Sequence, residues 1–270
     1  MKKITTFIVD SFTDEAFKGN PAGVCLVENS LKENEMINIA KELGLSETAF
    51  VKKESSNMYT IRYFSPKMEI PLCGHATLAA SKVLFNITDS LNKITFKTIE
   101  NINLSIQKIE DFIQMEFPIY KTEPATVPKA LLKALGIDTI ENTVFNKETS
   151  ILLLEISCCE TLQNLSPNYE ALYASHNTIN GVLVTAKSNK KDFDFESRYF
   201  WPWSGTNEDP VTGGTHTFLA KYWGDKLNKK IMNSFQCSER SGFMEVNLLN
   251  DKKMYIKSKA KLILEGSILI

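Results

Sequence analysis

Apolar and polar positions alternate first over 4–9, in KKITTFIVD, which reads as a β-strand; a glycine turn and a second strand over 23–27 follow. A helix is expected over about 33–43, then strands over 48–53 and 59–64. Next comes a turn, RYFSPKMEIPLCGH, that delivers the chain into the apolar helix HATLAASKVLF. KITFKTI, INLSIQKI and FIQMEFP read as three further strands, joined at the pairs Glu100-Asn101 and Glu110-Asp111. The Pro- and Thr-rich KTEPATVPKA, 121–130, is the best boundary in the chain.

Beyond it the order recurs. Strands are expected near 143–156, a helix near 168–175, and strands at GVLVTAK and FDFESRYF. A second turn, RYFWPWSGTNEDPVTGG, leads into the helix THTFLAKYW, and NSFQC, FMEVNLL and KMYIKS read as strands. One strand is left over, KLILEGSILI, near 261–269, with no counterpart in the first half. It is expected to complete the first half's sheet, giving one half-domain from 1–118 plus 260–270 and a second from 119–259. A chance match of one short motif would not explain the shared element order on both sides of it, so an internal duplication is the better reading. Each turn-following helix is apolar on nearly every face, as a helix buried all round is.

Composition narrows the function classes. The 270 residues are 43% hydrophobic and 23% charged with a net charge of −1, which is ordinary for a soluble globular protein. No excess of either sign points to nucleic acid or an anionic membrane, and no apolar run reaches membrane-spanning length. The basic-then-apolar start is too short for a signal peptide and is interrupted by Asp10. Five cysteines (25, 73, 158, 159 and 237) without CxxC spacing suggest reduced thiols in the cytoplasm. Three histidines, His75, His176 and His216, are too few for a histidine-rich metal site. Neither GxGxxG nor a P-loop is present, which disfavours hydride or phosphoryl transfer.

The two turns carry the candidate chemistry. Cys73-Gly74-His75 and Thr212-Gly213-Gly214 each enter a helix N-terminus, where backbone N–H groups lack partners and glycine permits close approach. Two such ends facing each other across a domain cleft would hold a small carboxylate. Glycine that only permits a tight turn is the plainer alternative, but it leaves the acidic and histidine residues beside the turns unexplained. Aligned on Gly74 and Gly213, Cys73 pairs with Thr212, His75 with Gly214, and Ile70 with Asp209. A two-thiol racemase needs a cysteine in each half, so here the chemistry is one-sided.

Glu47, in LGLSETAFV, is the candidate base. Partial burial is expected to raise its pKa toward the working pH. A surface carboxylate near a helix end is the alternative. The corresponding place in the second half falls near Asn180, which cannot be a base. Cys73 is read as a nucleophile or, better, a small wall residue, and Asp209 as a site residue or a turn cap. Asn20 reads equally as a ligand contact or a turn residue. Cys158 and Cys159 are read as packing, Trp201 and Trp203 as rim or core, and His176 as surface.

At these residues the sequence resembles the PhzF-like family, named for the isomerase of phenazine biosynthesis and related in fold to diaminopimelate epimerase. VDSFTDEAFKGNPAGVCLV resembles its opening, LSETAFV its catalytic-glutamate segment, and the two turns its paired loops; FQCSERSG resembles a later segment, with Cys237 in place of glycine. The resemblance covers essentially the whole chain. It implies an α/β (α+β) fold of two similar halves, each a curved sheet or barrel around a central helix, with a cleft site, no cofactor and a homodimer. It further implies Glu47 as the acid/base, His75 and Asp209 as its assistants, and backbone N–H groups near Gly74, His75, Gly213 and Gly214 as the carboxylate site. Gly214 departs from the family's D-P-V-T-G-S, and Thr212 or Thr215 is the candidate to supply the missing hydroxyl.

The expectation is thus a cofactor-independent isomerase or epimerase acting on a small carboxylic acid, amino-acid-like in character. A weakly active or inactive small-acid-binding protein is the runner-up. The physiological substrate is not legible in the sequence.

Overall fold

The computed structural model describes residues 1–29, 31–88 and 90–270. The chain forms two compact units, Met1–Glu116 with Tyr255–Ile270, and Phe117–Met254.

The first unit begins with β1 (Lys3–Ser11), β2 (Asn20–Leu26), α1 (Glu33–Leu43), β3 (Glu47–Lys53) and β4 (Met58–Phe64). Short β5 (Glu69–Ile70), α2 (Gly74–Ile87), β6 (Lys93–Lys97), β7 (Asn103–Ile109) and β8 (Phe112–Pro118) follow. Neighbouring strands are antiparallel except at β2/β3 and β4/β6, which are parallel. Parallel neighbours need a long crossover, and α1 and α2 supply the two. Helix α1 has Glu33 and Glu35 in its first turn, where they complement the helix dipole, and ends at Gly44 in the left-handed region (φ 65°). Its Met36, Ile39 and Ala40 pack with Ile4, Cys25, Phe50 and Phe64. Helix α2 is buried from Ala76 to Phe85 apart from Lys82 and lies against β1, β2 and β3.

The second unit repeats this plan. It holds β9 (Glu123–Pro124), α3 (Lys129–Leu135), β10 (Asn142–Asn146), β11 (Ile151–Glu155), α4 (Cys159–Gln163), α5 (Tyr169–Ala174) and β12 (Gly181–Lys187). Then come β13 (Phe195–Trp201), a single 3-10 turn (Pro202–Ser204), β14 (Thr206–Asp209), α6 (His216–Leu227), β15 (Ile231–Gln236) and β16 (Gly242–Leu248); β17 (Lys253–Ser258) starts in this unit, and its residues from Tyr255 onward belong to the first. The parallel steps are now β11/β12, bridged by α4 and α5, and β13/β15, bridged by α6. Helix α3 has no counterpart in the sequence expectation. Pro128 stands at its N-cap and Gly136 ends it in the left-handed region (φ 74°), so the prolines taken as a boundary also start a helix.

The last strand, β18 (Ala260–Leu269), pairs antiparallel with β1 along its whole length, from Lys3↔Leu269 to Ser11↔Ala260. Among the described residues no helix is long and apolar enough to cross a membrane.

Candidate active site

In the first unit the parallel register sets Glu47, at the head of β3, opposite Ala22 of β2. Helix α2 starts at Gly74, with Cys73 as an extended N-cap (φ −145°, ψ 115°). His75 then lies in the first helical turn, and its Nε2 stands 3.1 Å from Glu47 Oε2. Ser46 Oγ is 3.4 Å from the same ring nitrogen, and Cys73 Sγ is 3.4 Å from Nδ1. The two charged side chains keep a narrow opening to solvent, 11% for His75 and 15% for Glu47.

Here the sequence expectation for Glu47 is corrected. Burial does push its carboxyl upward, but the hydrogen bond and charge of His75, with the Ser46 hydroxyl, outweigh it and hold the pKa below the ordinary carboxylate range. Burial alone would likewise lower the His75 pKa; the Cys73 sulfur and the Glu47 carboxylate overcome this and hold it well above the ordinary imidazole value. Both directions favour the charged forms, a carboxylate facing an imidazolium. A partner's charge, invisible in the local sequence, decides the sign.

No side chain caps α2, and its first turn carries no acid. The N–H groups of that turn therefore have neither an intrahelical acceptor nor a capping oxygen, and they are suited to an anion. Asn20, fully buried at the start of β2, pairs with Ser11, whose Oγ donates to the His75 carbonyl at 2.7 Å. Glu47, Cys73, Gly74, His75 and Asn20 are thus gathered at one end of β1, β2, β3 and α2.

Ser11 had no part in the sequence expectation. Gly19 passes close beside it, with φ +67° and with space so limited that an added Cβ would come within 2.1 Å of the Ser11 carbonyl oxygen. Gly19→Ala is therefore expected to displace Ser11 and loosen the His75 carbonyl. It should cost roughly 1–3 kcal/mol of stability, measurable by denaturant unfolding; an unchanged midpoint would refute the close approach.

The second unit's turn is built on the same plan with other side chains. Tyr63 pairs with Ile70 across β4/β5, and Tyr199 pairs with Asp209 across β13/β14. Arg62 grips Glu69 through Nε and Nη2 at 2.7 and 2.6 Å, and Arg198 grips Glu208 through the same atoms at 2.7 Å each. Thr77 Oγ1 donates to the Cys73 carbonyl at 2.6 Å, and His216 Nδ1 reaches the Thr212 carbonyl at 3.1 Å. These repeated contacts have a signal in the sequence, since Arg and Glu recur at matching positions in both turns.

Asp209, Thr212, Gly213 and Gly214 are gathered ahead of α6. Gly213 stands in the turn three residues before the first residue of the regular helix, and α6 is entered through a 3-10 turn with His216 N bonded to the Gly213 carbonyl at 3.1 Å. The Thr212 hydroxyl donates to the Asp209 carboxylate, and the Thr215 hydroxyl donates to the Thr212 carbonyl at 2.9 Å. Both hydroxyls are thus engaged within the turn. Gln236, which carried no role in the sequence reading, clamps the turn by accepting from Thr212 N at 2.9 Å and donating to the Asp209 carbonyl at 2.6 Å. Asn180 accepts from Trp201 Nε1 and Ser204 Oγ at 3.2 and 2.8 Å, and Trp203 Nε1 donates to the His176 carbonyl at 2.8 Å. Cys158 and Cys159 open α4, the latter buried in the unit's core.

His216 is fully buried, with Nδ1 donating to Thr212 O and Nε2 2.8 Å from Ser234 Oγ. Burial lowers its pKa to about 4, against the backbone bonds that raise it. Because the folded value lies below the unfolded one, the unfolded chain binds more protons in this window. Stability should fall as pH drops from about 6.5 to about 4, by roughly 3 kcal/mol from this group, and level off below. An NMR titration of the ring checks it; a midpoint near 6.5 would contradict the neutral state.

One set of three potential metal ligands emerges among the described residues, Glu47, Cys73 and His75, whose donor atoms all lie within 4.8 Å of one another. The sequence reading had named no metal site.

The molecule thus has two like α/β units, the first with a carboxylate–imidazole pair at the start of a buried helix. The family model described as phenazine biosynthesis-like protein matches residues 9–266, and the chain belongs to that family. It is 40% identical to a phenazine biosynthesis-like domain-containing protein of Bos taurus, over 98% of this chain and 99% of the relative. It is 36% identical to an uncharacterized isomerase of Halalkalibacterium halodurans, over 98% of both chains. The crystal structure of a PhzF-family phenazine biosynthesis protein from Enterococcus faecalis superposes with a TM-score of 0.92 at 36% identity, covering 100% of both chains. Together these relatives support an isomerase-type enzyme.

Proposed function

We propose that the protein is a cofactor-independent isomerase or epimerase that moves a proton on a small carboxylic acid, amino-acid-like in character. The observation that supports this reading most is the Glu47–His75 pair at 3.1 Å, with one pKa pushed down and the other up. Two groups whose environments drive their pKa values apart are suited to act as base and acid. Glu47 takes a proton from the substrate carbon, and His75, already an imidazolium, steadies the charge and returns a proton. The open N–H groups at Gly74 and His75 hold the substrate carboxylate. The reading is tested by screening small carboxylates for thermal stabilisation, then following each stabilising acid by NMR for conversion to an isomer. Stabilisation without conversion of any of them would reject the catalytic part.

Gly214 favours a second reading, binding without efficient turnover, since its turn has no free hydroxyl. An added Cβ at Gly214 meets nothing within 4 Å, so Gly214→Ser restores a hydroxyl without a clash. The substitution is expected to raise turnover of a stabilising carboxylate by about tenfold or more. An unchanged rate would show that this turn's hydroxyl is not part of the chemistry.

A further inference from the structure

We propose that Glu47, Cys73 and His75 form a binding site for one Zn²⁺ ion, whose occupation blocks the enzyme. Zinc favours mixed thiolate, imidazole and carboxylate donors in a tetrahedral arrangement, with bonds of about 2.3 Å to sulfur and about 2.0–2.2 Å to nitrogen and oxygen. Donors so placed lie about 3.4 Å apart for N and O and about 3.6 Å apart for N and S. The corresponding separations here are 3.1 Å between His75 Nε2 and Glu47 Oε2 and 3.9 Å between His75 Nε2 and Cys73 Sγ. The three donor atoms lie within 4.8 Å of one another, and because the sulfur stands nearer Nδ1, at 3.4 Å, a rotation of the Cys73 side chain toward Nε2 is what brings them onto one ion. Cys73 lies at the helix N-cap, and His75 follows two residues later in the first turn. Two of the three ligands are thus fixed by one short stretch of backbone, and Glu47 is fixed by the start of β3.

The donor set selects the metal. A thiolate with an imidazole is a poor site for Mg²⁺ or Ca²⁺, which prefer oxygen ligands. Three protein ligands leave a fourth position open to water. The ion would occupy the Glu47 lone pair and the His75 ring nitrogen together, so neither could carry a proton. Binding stands on the geometry alone; inhibition rests also on the proposed function.

The test uses the whole chain, stripped of metal with a chelator. Zn²⁺ is titrated in competition with a chromophoric chelator, and Co²⁺ serves as a spectroscopic substitute. One Zn²⁺ per chain is expected, together with a thiolate-to-cobalt charge-transfer band. Cys73→Ser should abolish the band and weaken Zn²⁺ binding by at least about 10–100-fold, the loss seen even when an outer-shell group is removed. His75→Asn should weaken binding comparably. Cys158→Ser and Cys237→Ser should change neither readout. Circular dichroism establishes that each variant is folded, and a misfolded Cys73→Ser leaves His75→Asn to decide. Failure to bind stoichiometrically, or loss of binding in Cys158→Ser or Cys237→Ser instead, overturns the site. With a carboxylate that the wild type isomerises, Zn²⁺ should stop turnover and chelator should restore it. Zn²⁺ that accelerates turnover would overturn the inhibitory role. Zinc binding to a protein that isomerises nothing would sustain the site while rejecting the proposed function.

Discussion

Glu47→Gln is expected to bind a stabilising carboxylate about as well as the wild type and to turn it over about 10²–10⁴-fold more slowly, the usual contribution of a positioned base. Glutamine preserves the shape and can still accept a hydrogen bond from His75 Nε2, 3.1 Å away in the wild type, but it cannot hold a substrate proton. The loss should appear in kcat, because only the transition state uses the basicity. His75 should also become easier to deprotonate, since one of the two partners that raise its pKa loses its charge. Circular dichroism and the binding constant would show whether the variant is folded and competent. Weaker binding with unchanged kcat would make Glu47 a positioning residue for the substrate and no base.

The largest loss of stability is expected from Arg198→Met, at about 3–5 kcal/mol, the usual cost of removing one partner of a buried ion pair. Arg198 is held by two bonds to Glu208 and also donates through Nη1 to the Leu165 and Leu162 carbonyls at 2.6 and 3.3 Å. The side chains of Arg198 and Glu208 are only 10% and 15% exposed. Removing the guanidinium leaves a charge and three carbonyls, those of Leu162, Gln163 and Leu165, without their donor. The midpoint of thermal unfolding should fall by roughly 10 °C. Arg62→Met is the internal comparison. Its pair with Glu69 has the same geometry, but the Arg62 side chain is 30% exposed, so water compensates for more of the loss. A larger effect at Arg62 than at Arg198 would refute the argument from burial.

The repeated order of strands and helices was legible because apolar periodicity reports which faces are buried. KMYIKS coincides with β17, and the helix expected over about 33–43 is α1. The short elements escaped notice for a physical reason. β5 and β14 are each only a few residues long, too short for any period, and they are defined by pairing with the strand that precedes the turn. α4 begins within Cys158-Cys159-Glu160, where no capping side chain announces it.

At the site, residue types were legible and their couplings were not. Glu47 and His75 stood out by type and by their place in the turns, but the sign of the Glu47 shift depends on a contact between residues 28 positions apart in the chain. Thr212 and Thr215 offered hydroxyls in the sequence, yet both are consumed inside their own turn. The Arg62–Glu69 and Arg198–Glu208 pairs were written in both copies and lacked only the strand register that brings them together.

The central claim, that Glu47 moves a carbon-bound proton, is tested most directly by following that hydrogen. A carboxylate that stabilises the protein is incubated in deuterated water with the wild type and with Glu47→Gln, and its carbon-bound hydrogens are read by NMR at matched occupancy. The account predicts that the wild type converts the ligand, with the hydrogen either exchanged for deuterium or relocated, and that the variant holds the same ligand with the hydrogen left in place. A Glu47→Gln protein that converts the ligand at the wild-type rate would contradict the account and leave His75 or Asp209 as the base.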